Sequence, residues 1–139
     1  MRNILIIGIG KSTSQLVDYL LEHAENEELQ ITLADKSLEH AKKLAGNHPR
    51  ATAIALDIFQ ELQREDAIQN ADLIISMLPA RFHIKVAENC LKMGKSLVTA
   101  SYVSEEMQKL DEAVKAKGLV FMNEIGLDPG IDHMSAMQV

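Results

Sequence analysis

The chain has 139 residues, 47% of them hydrophobic, and twenty acidic side chains against fourteen basic ones give a formal charge of −6. That length suits a single domain over residues 1–139 with a substantial core, and the basic residues are scattered instead of forming a stripe, which argues against a nucleic-acid partner. No apolar run approaches the ~20 residues that span a bilayer, the start runs straight into a candidate strand, and the lone Cys90 excludes an internal disulfide, so a cytoplasmic protein without a membrane anchor is expected.

Arg2 to Ile7 is short, β-branched and almost wholly apolar, the pattern of a parallel strand buried on both faces. Leu16, Val17, Leu20, Leu21 and Ala24 then recur at helical spacing. Gln30 to Ala34 reads as a second strand, Ser37 to Ala45 as a helix stopped by Gly46, Thr52 to Leu56 as a third strand and Gln60 to Ile68 as a short helix. Asp72 to Met77 is the fourth strand and Arg81 to Met93 a helix stopped by Gly94. Strand Ser96 to Ala100, helix Glu105 to Lys117 with Ser104 as its cap, and strand Leu119 to Met122 complete the series. Regular alternation of this kind requires parallel strands with right-handed crossovers. The expected fold is therefore doubly wound α/β, a Rossmann-type six-stranded parallel sheet in the order 3-2-1-4-5-6, with function at the carboxyl ends of its strands.

The first of those ends carries a glycine-rich turn, "GIGKST", from Gly8 to Thr13. A triphosphate loop would need a glycine where Leu5 stands, so that reading fails. The dinucleotide pattern G-x-G-x-x-G/A fits at Gly8 and Gly10, with Thr13 in the third position. Glycines there let the backbone approach a pyrophosphate at the N-terminus of the following helix, and Lys11, Ser12 and Thr13 add a cation and hydroxyl donors. Asp35 ends the second strand about 20 residues further on, the offset at which a carboxylate reaches the adenosine ribose hydroxyls. The alternative role for Asp35 is the N-cap of the next helix, which Ser37 could fill instead, so turn and acid together favour a dinucleotide.

The remaining ends add Asp57, an acceptor for the adenine amino group or a cap of the next helix. Leu78-Pro79 offers apolar surface and a free carbonyl toward the cofactor, or simply starts a helix. Tyr102 carries a phenolic hydroxyl where a nicotinamide or its substrate would sit, or packs as a surface tyrosine. The five histidines are far apart, with none paired at helical spacing, so no metal site is expected. Cys90 reads as a small buried residue and the seven methionines as core filling. Near the end, Ile131, Met134 and Met137 lie on one helical face with nothing left to cover it, which suggests either self-association as a homodimer or a substrate domain beyond Val139.

Three stretches, "GIGKSTSQLVDYLL", "TASYVS" (Thr99 to Ser104) and "NEIGLDPGIDHMSAM" (Asn123 to Met137), together resemble the N-terminal cofactor domain of the saccharopine dehydrogenase family, in its glutamate-forming saccharopine reductase branch. The resemblance covers essentially the whole chain, and the Asp128-Pro129-Gly130-Ile131-Asp132-His133 segment is its most specific part. It implies a nicotinamide-dependent oxidoreductase of lysine metabolism that reduces an imine between an aldehyde and the amino group of glutamate, with a separate domain supplying much of the substrate site. It also places Tyr102 and Asp128 near the reacting centre, Asp128 orienting or protonating the amine. That branch generally uses NADPH, whereas Asp35 should repel a 2′-phosphate; Lys36 beside it softens the repulsion, so either NAD or NADP fits, with NAD slightly favoured. Two other readings share the turn and the acid: a regulatory dinucleotide-sensing domain of a transport system, and an imine-reducing dehydrogenase for polyamine or opine substrates.

Overall fold

The structure is a computed structural model that describes residues 2–8, 13–99 and 108–122. Six parallel strands, β1 (Arg2–Ile7), β2 (Leu29–Asp35), β3 (Ala51–Ala55), β4 (Leu73–Ser76), β5 (Ser96–Thr99) and β6 (Phe121–Met122), form one sheet in the order β3-β2-β1-β4-β5-β6. Between them run α1 (Thr13–His23), α2 (Leu38–Ala45), α3 (Glu61–Gln69), a 3-10 turn at Ala80–Phe82, α4 (His83–Met93) and α5 (Asp111–Ala116). This is the doubly wound arrangement that the alternation predicts.

β1 is central because it is apolar on both faces. Ile4 and Ile6 join Ile31, Leu33, Val17, Leu21, Ala41 and Ala45 on the side covered by α1 and α2. Leu5 and Ile7 join Ile68, Ile74, Val86, Ala87, Cys90 and Leu97 on the side covered by α3 and α4. Its neighbours are β2, with Ile7 level with Ala34, and β4, with Ile7 level with Ser76. The chain reverses its winding direction between β1 and β4, which opens a crevice at the carboxyl edge above Ile7, where open α/β sheets bind ligands.

Element ends differ from the sequence expectation by small amounts with local causes. Ser37 lies outside α2 as its cap, its hydroxyl accepting from the His40 N–H at 3.3 Å. Gly94 ends α4 in the left-handed conformation. α4 begins at His83 and not Arg81, because Pro79 starts a tight turn in which the Phe82 N–H donates to the Pro79 carbonyl at 2.9 Å. The last helix is broken at Leu110: residues 108–109 are helical, Leu110 turns, and α5 follows. The expected cap Ser104 and the start of that helix lie outside the described residues.

Candidate cofactor site

Gly8 stands at the tip of β1 with φ +89°, a region that side chains other than glycine's rarely adopt. Its N–H donates to the Ala34 carbonyl at 2.9 Å, so the turn remains tied to β2. On the other side, a Cβ at this position would lie 3.0 Å from Leu78 Cδ2 and 3.1 Å from Leu78 N and Met77 C. Glycine is thus required twice over, for its backbone angle and because the β4–α4 loop presses against it. A backbone stripped of side chain at this point, followed by the first residues of α1, is what a dinucleotide pyrophosphate needs.

Thr13 opens α1 only 1% exposed, its hydroxyl 3.5 Å from the Gly8 carbonyl. It occupies the position of the third small residue, where the helix packs on the strand, and its hydroxyl faces back into the turn. Gly10, Lys11 and Ser12 lie outside the described residues, as do Tyr102 and Asp128.

Asp35 sits at the tip of β2 with its side chain 18% exposed. Its Oδ2 accepts from the Ser37 N–H at 3.0 Å and lies 3.9 Å from His40 Nδ1. Asp35 and Ser37 therefore divide the labour that the sequence left open: Ser37 caps α2, and Asp35 braces the turn leading into it. Lys36 between them is exposed.

Asp57 closes a small turn after β3, its Oδ1 accepting from the Phe59 N–H at 3.0 Å, while its own N–H donates to Gln63 Oε1 at 3.1 Å. The cap position of α3 itself belongs to Gln60, without a side-chain bond, so Asp57 is a turn-former and not the helix cap. Leu78 is half-buried against the core and Pro79 is exposed. The free carbonyl expected at Leu78-Pro79 is not at Pro79, whose oxygen is taken by the Phe82 N–H because the chain there must turn at once into α4.

Two buried features lay beyond sequence reasoning. Ser76, at the tip of β4 and 0% exposed, hydrogen-bonds His83 Nδ1 at 2.8 Å, and His83, at the start of α4, is 3% exposed. Burial holds the imidazole below its ordinary value of 6.5, so it is neutral at pH 7. Arg64 of α3 is also buried, bonded to the Ile58 carbonyl and to Asn89 of α4, and so holds the β3–α3 turn to the helices beneath it. A serine and a histidine separated by a proline-containing turn carry no signature in sequence; only the fold brings them together.

Burial also pushes the Cys90 thiol up to about 12, which leaves it inert at neutral pH. Among the described residues no group of three or more histidine, cysteine or carboxylate side chains could hold a metal, and no helix is long and apolar enough to cross a membrane. A separate cleft of 390 Å³ runs between the sheet and α3, lined among others by Asn3, Thr32, Thr52, Gln63, Asp66 and Asn70, and none of the expected site residues that the structure describes lines it.

A doubly wound sheet with a positive-φ glycine at the tip of its central strand and a carboxylate at the tip of the next defines a dinucleotide-binding domain of the Rossmann class. The family model described as the saccharopine dehydrogenase NADP binding domain matches residues 4–122, and the chain belongs to that family. It is 38% identical over 137 residues to the L-glutamate-forming saccharopine dehydrogenase [NADP(+)] of Pyricularia oryzae, and 39% identical over 138 residues to that of Schizosaccharomyces pombe. Each alignment covers 99% of this chain and 30% of the relative. The solved apo structure of histidine-tagged saccharopine dehydrogenase (L-Glu forming) from Saccharomyces cerevisiae superposes with a TM-score of 0.86 at 32% identity, over 99% of this chain and 30% of that one. The chain thus spans less than a third of the length of these relatives. The family description and the relatives' names specify NADP, so a nicotinamide dinucleotide is the cofactor class, and the lean toward NAD that Asp35 produced finds no support.

Proposed function

We propose that the chain is the NADP(H)-binding domain of an oxidoreductase of lysine metabolism that reduces an imine between an amino acid and an aldehyde, as a saccharopine dehydrogenase would, in a cytoplasmic protein that is active once a substrate domain is present. The observation that carries the reading is Gly8: a positive φ, a position that any Cβ would overfill, and a place at the switch point of the sheet. The NADP in the names of the family and of its relatives supports the choice of dinucleotide.

The dinucleotide supplies hydride when bound. The chain's own residues position it: the Gly8 and Gly10 turn, with Lys11, Ser12 and Thr13, receives the pyrophosphate, Asp57 the adenine edge, and Leu78-Pro79 the apolar flank. Asp35, with one oxygen accepting from the Ser37 N–H, stands at the tip of β2 on the ribose side of the site. The exposed Lys36 beside it supplies a cation for a 2′-phosphate. In this proposal Tyr102 and Asp128 act at the imine, where a carboxylate beside the nitrogen stabilises its protonated form and lowers the barrier to hydride addition.

Titration of the chain with NADPH and NADH, followed by calorimetry, tests the reading. NADPH should bind more tightly, and Lys36→Glu should weaken NADPH by about tenfold while leaving NADH nearly unchanged. If neither dinucleotide binds at millimolar concentration, the proposal falls; equal loss for both would remove Lys36 from the 2′-phosphate.

A further inference from the structure

The β4–α4 loop, Met77 to Phe82, presses against Gly8, with Leu78 crowding the space in which a Gly8 Cβ would lie. Its distance from β1 therefore sets the depth of the cofactor crevice. Both ends of that loop are buried and joined to each other, Ser76 Oγ to His83 Nδ1 at 2.8 Å. Backbone bonds complete the clamp: the Met77 N–H donates to the Ile7 carbonyl at 2.8 Å, and the Phe82 N–H to that of Pro79 at 2.9 Å. We infer that the Ser76–His83 pair is a positioning device for the cofactor, stapling the β4–α4 loop at the height that lets Leu78 seat under Gly8 and leaves the crevice open above it.

The inference rests on the cofactor reading above. It adds two residues that act on the turn through Leu78. Ser76 and Thr99, level with each other on β4 and β5, are both fully buried hydroxyl residues, so the staple is set in the interior of the sheet and not in a solvent-exposed turn.

The test is the dissociation constant of NADPH at pH 7.5 for the wild-type chain, Ser76→Ala, His83→Gln and His83→Leu, with thermal midpoints measured alongside. Ser76→Ala, which deletes one oxygen, should weaken NADPH about fivefold in protein that remains folded. His83→Gln keeps a hydrogen-bonding group and should bind within about threefold of wild type, whereas His83→Leu, which cannot bond Ser76, should lose affinity as Ser76→Ala does. A merely structural pair would lower the thermal midpoint and leave the affinity of the folded fraction unchanged, and that result overturns the inference. So does wild-type affinity in folded His83→Leu, which decides the matter even if Ser76→Ala fails to fold. If the wild-type chain binds no NADPH, the cofactor reading falls and takes this inference with it.

Discussion

At the Asp35 tip of the sheet the polar groups stand close to water: the carboxylate is part-exposed, Lys36 and His40 are exposed, and the bonds described among them, Asp35 to Ser37 and Ser37 to His40, are short-range. At the Ser76 tip, two strands away, the polar groups are sealed in: Ser76, Thr99 and His83 are at most 3% exposed, and the bond that matters spans a whole loop. The first tip offers charge to a ligand and tolerates solvent. The second offers shape, and its neutrality is a condition of its burial. Gly8 lies between them, bonded to β2 through Ala34 and pressed against β4 through Leu78.

The sharpest way to break this arrangement is to act where the two tips meet. Gly8→Ala adds a Cβ 3.0 Å from Leu78 and holds alanine at φ +89°, so it should cost about 2 kcal/mol of stability from backbone strain. It should also lower NADPH affinity by at least about tenfold, since the loop must retreat into the crevice. Thermal unfolding and calorimetry check both; a variant with wild-type affinity would mean that the turn does not hold the dinucleotide.

A smaller effect isolates the Asp35 tip. Ser37→Ala removes the cap of α2 while leaving the Ser37 N–H that Asp35 uses, and should destabilise by about 1 kcal/mol with little change in NADPH affinity. A large loss of affinity would mean instead that the cap holds Asp35 in place.

The smallest effect isolates the Ser76 tip in the absence of ligand. The folded state holds His83 below its ordinary value of 6.5, so the unfolded chain takes up its proton first as the pH falls. The contribution of neutral His83 is fully present above pH 6.5 and is lost progressively below it, down to the depressed folded value. His83→Gln should remove that part of the acid sensitivity, and chemical unfolding at pH 7.5 and 5.5 reads the difference.

What the sequence by itself determined is set by neighbours in the chain. The β-branched run Arg2–Ile7, the spacing of Val17 and Leu21, Ser37 before α2 and Gly94 after α4 each act within a few residues, so strand count, winding order and the Gly8–Asp35 pair were legible. Tertiary structure alone decided how near-equivalent local choices were settled and which distant residues meet. Asp35 and Ser37 were both plausible caps until the path of β2 gave the cap to Ser37; the Pro79 carbonyl was spent on a turn; and Leu78 was placed under Gly8 because β1 and β4 are neighbours in the sheet. Ser76 and His83 carry no periodic signal, since a buried hydrogen bond across a loop depends on distances that only the packed sheet and helix supply.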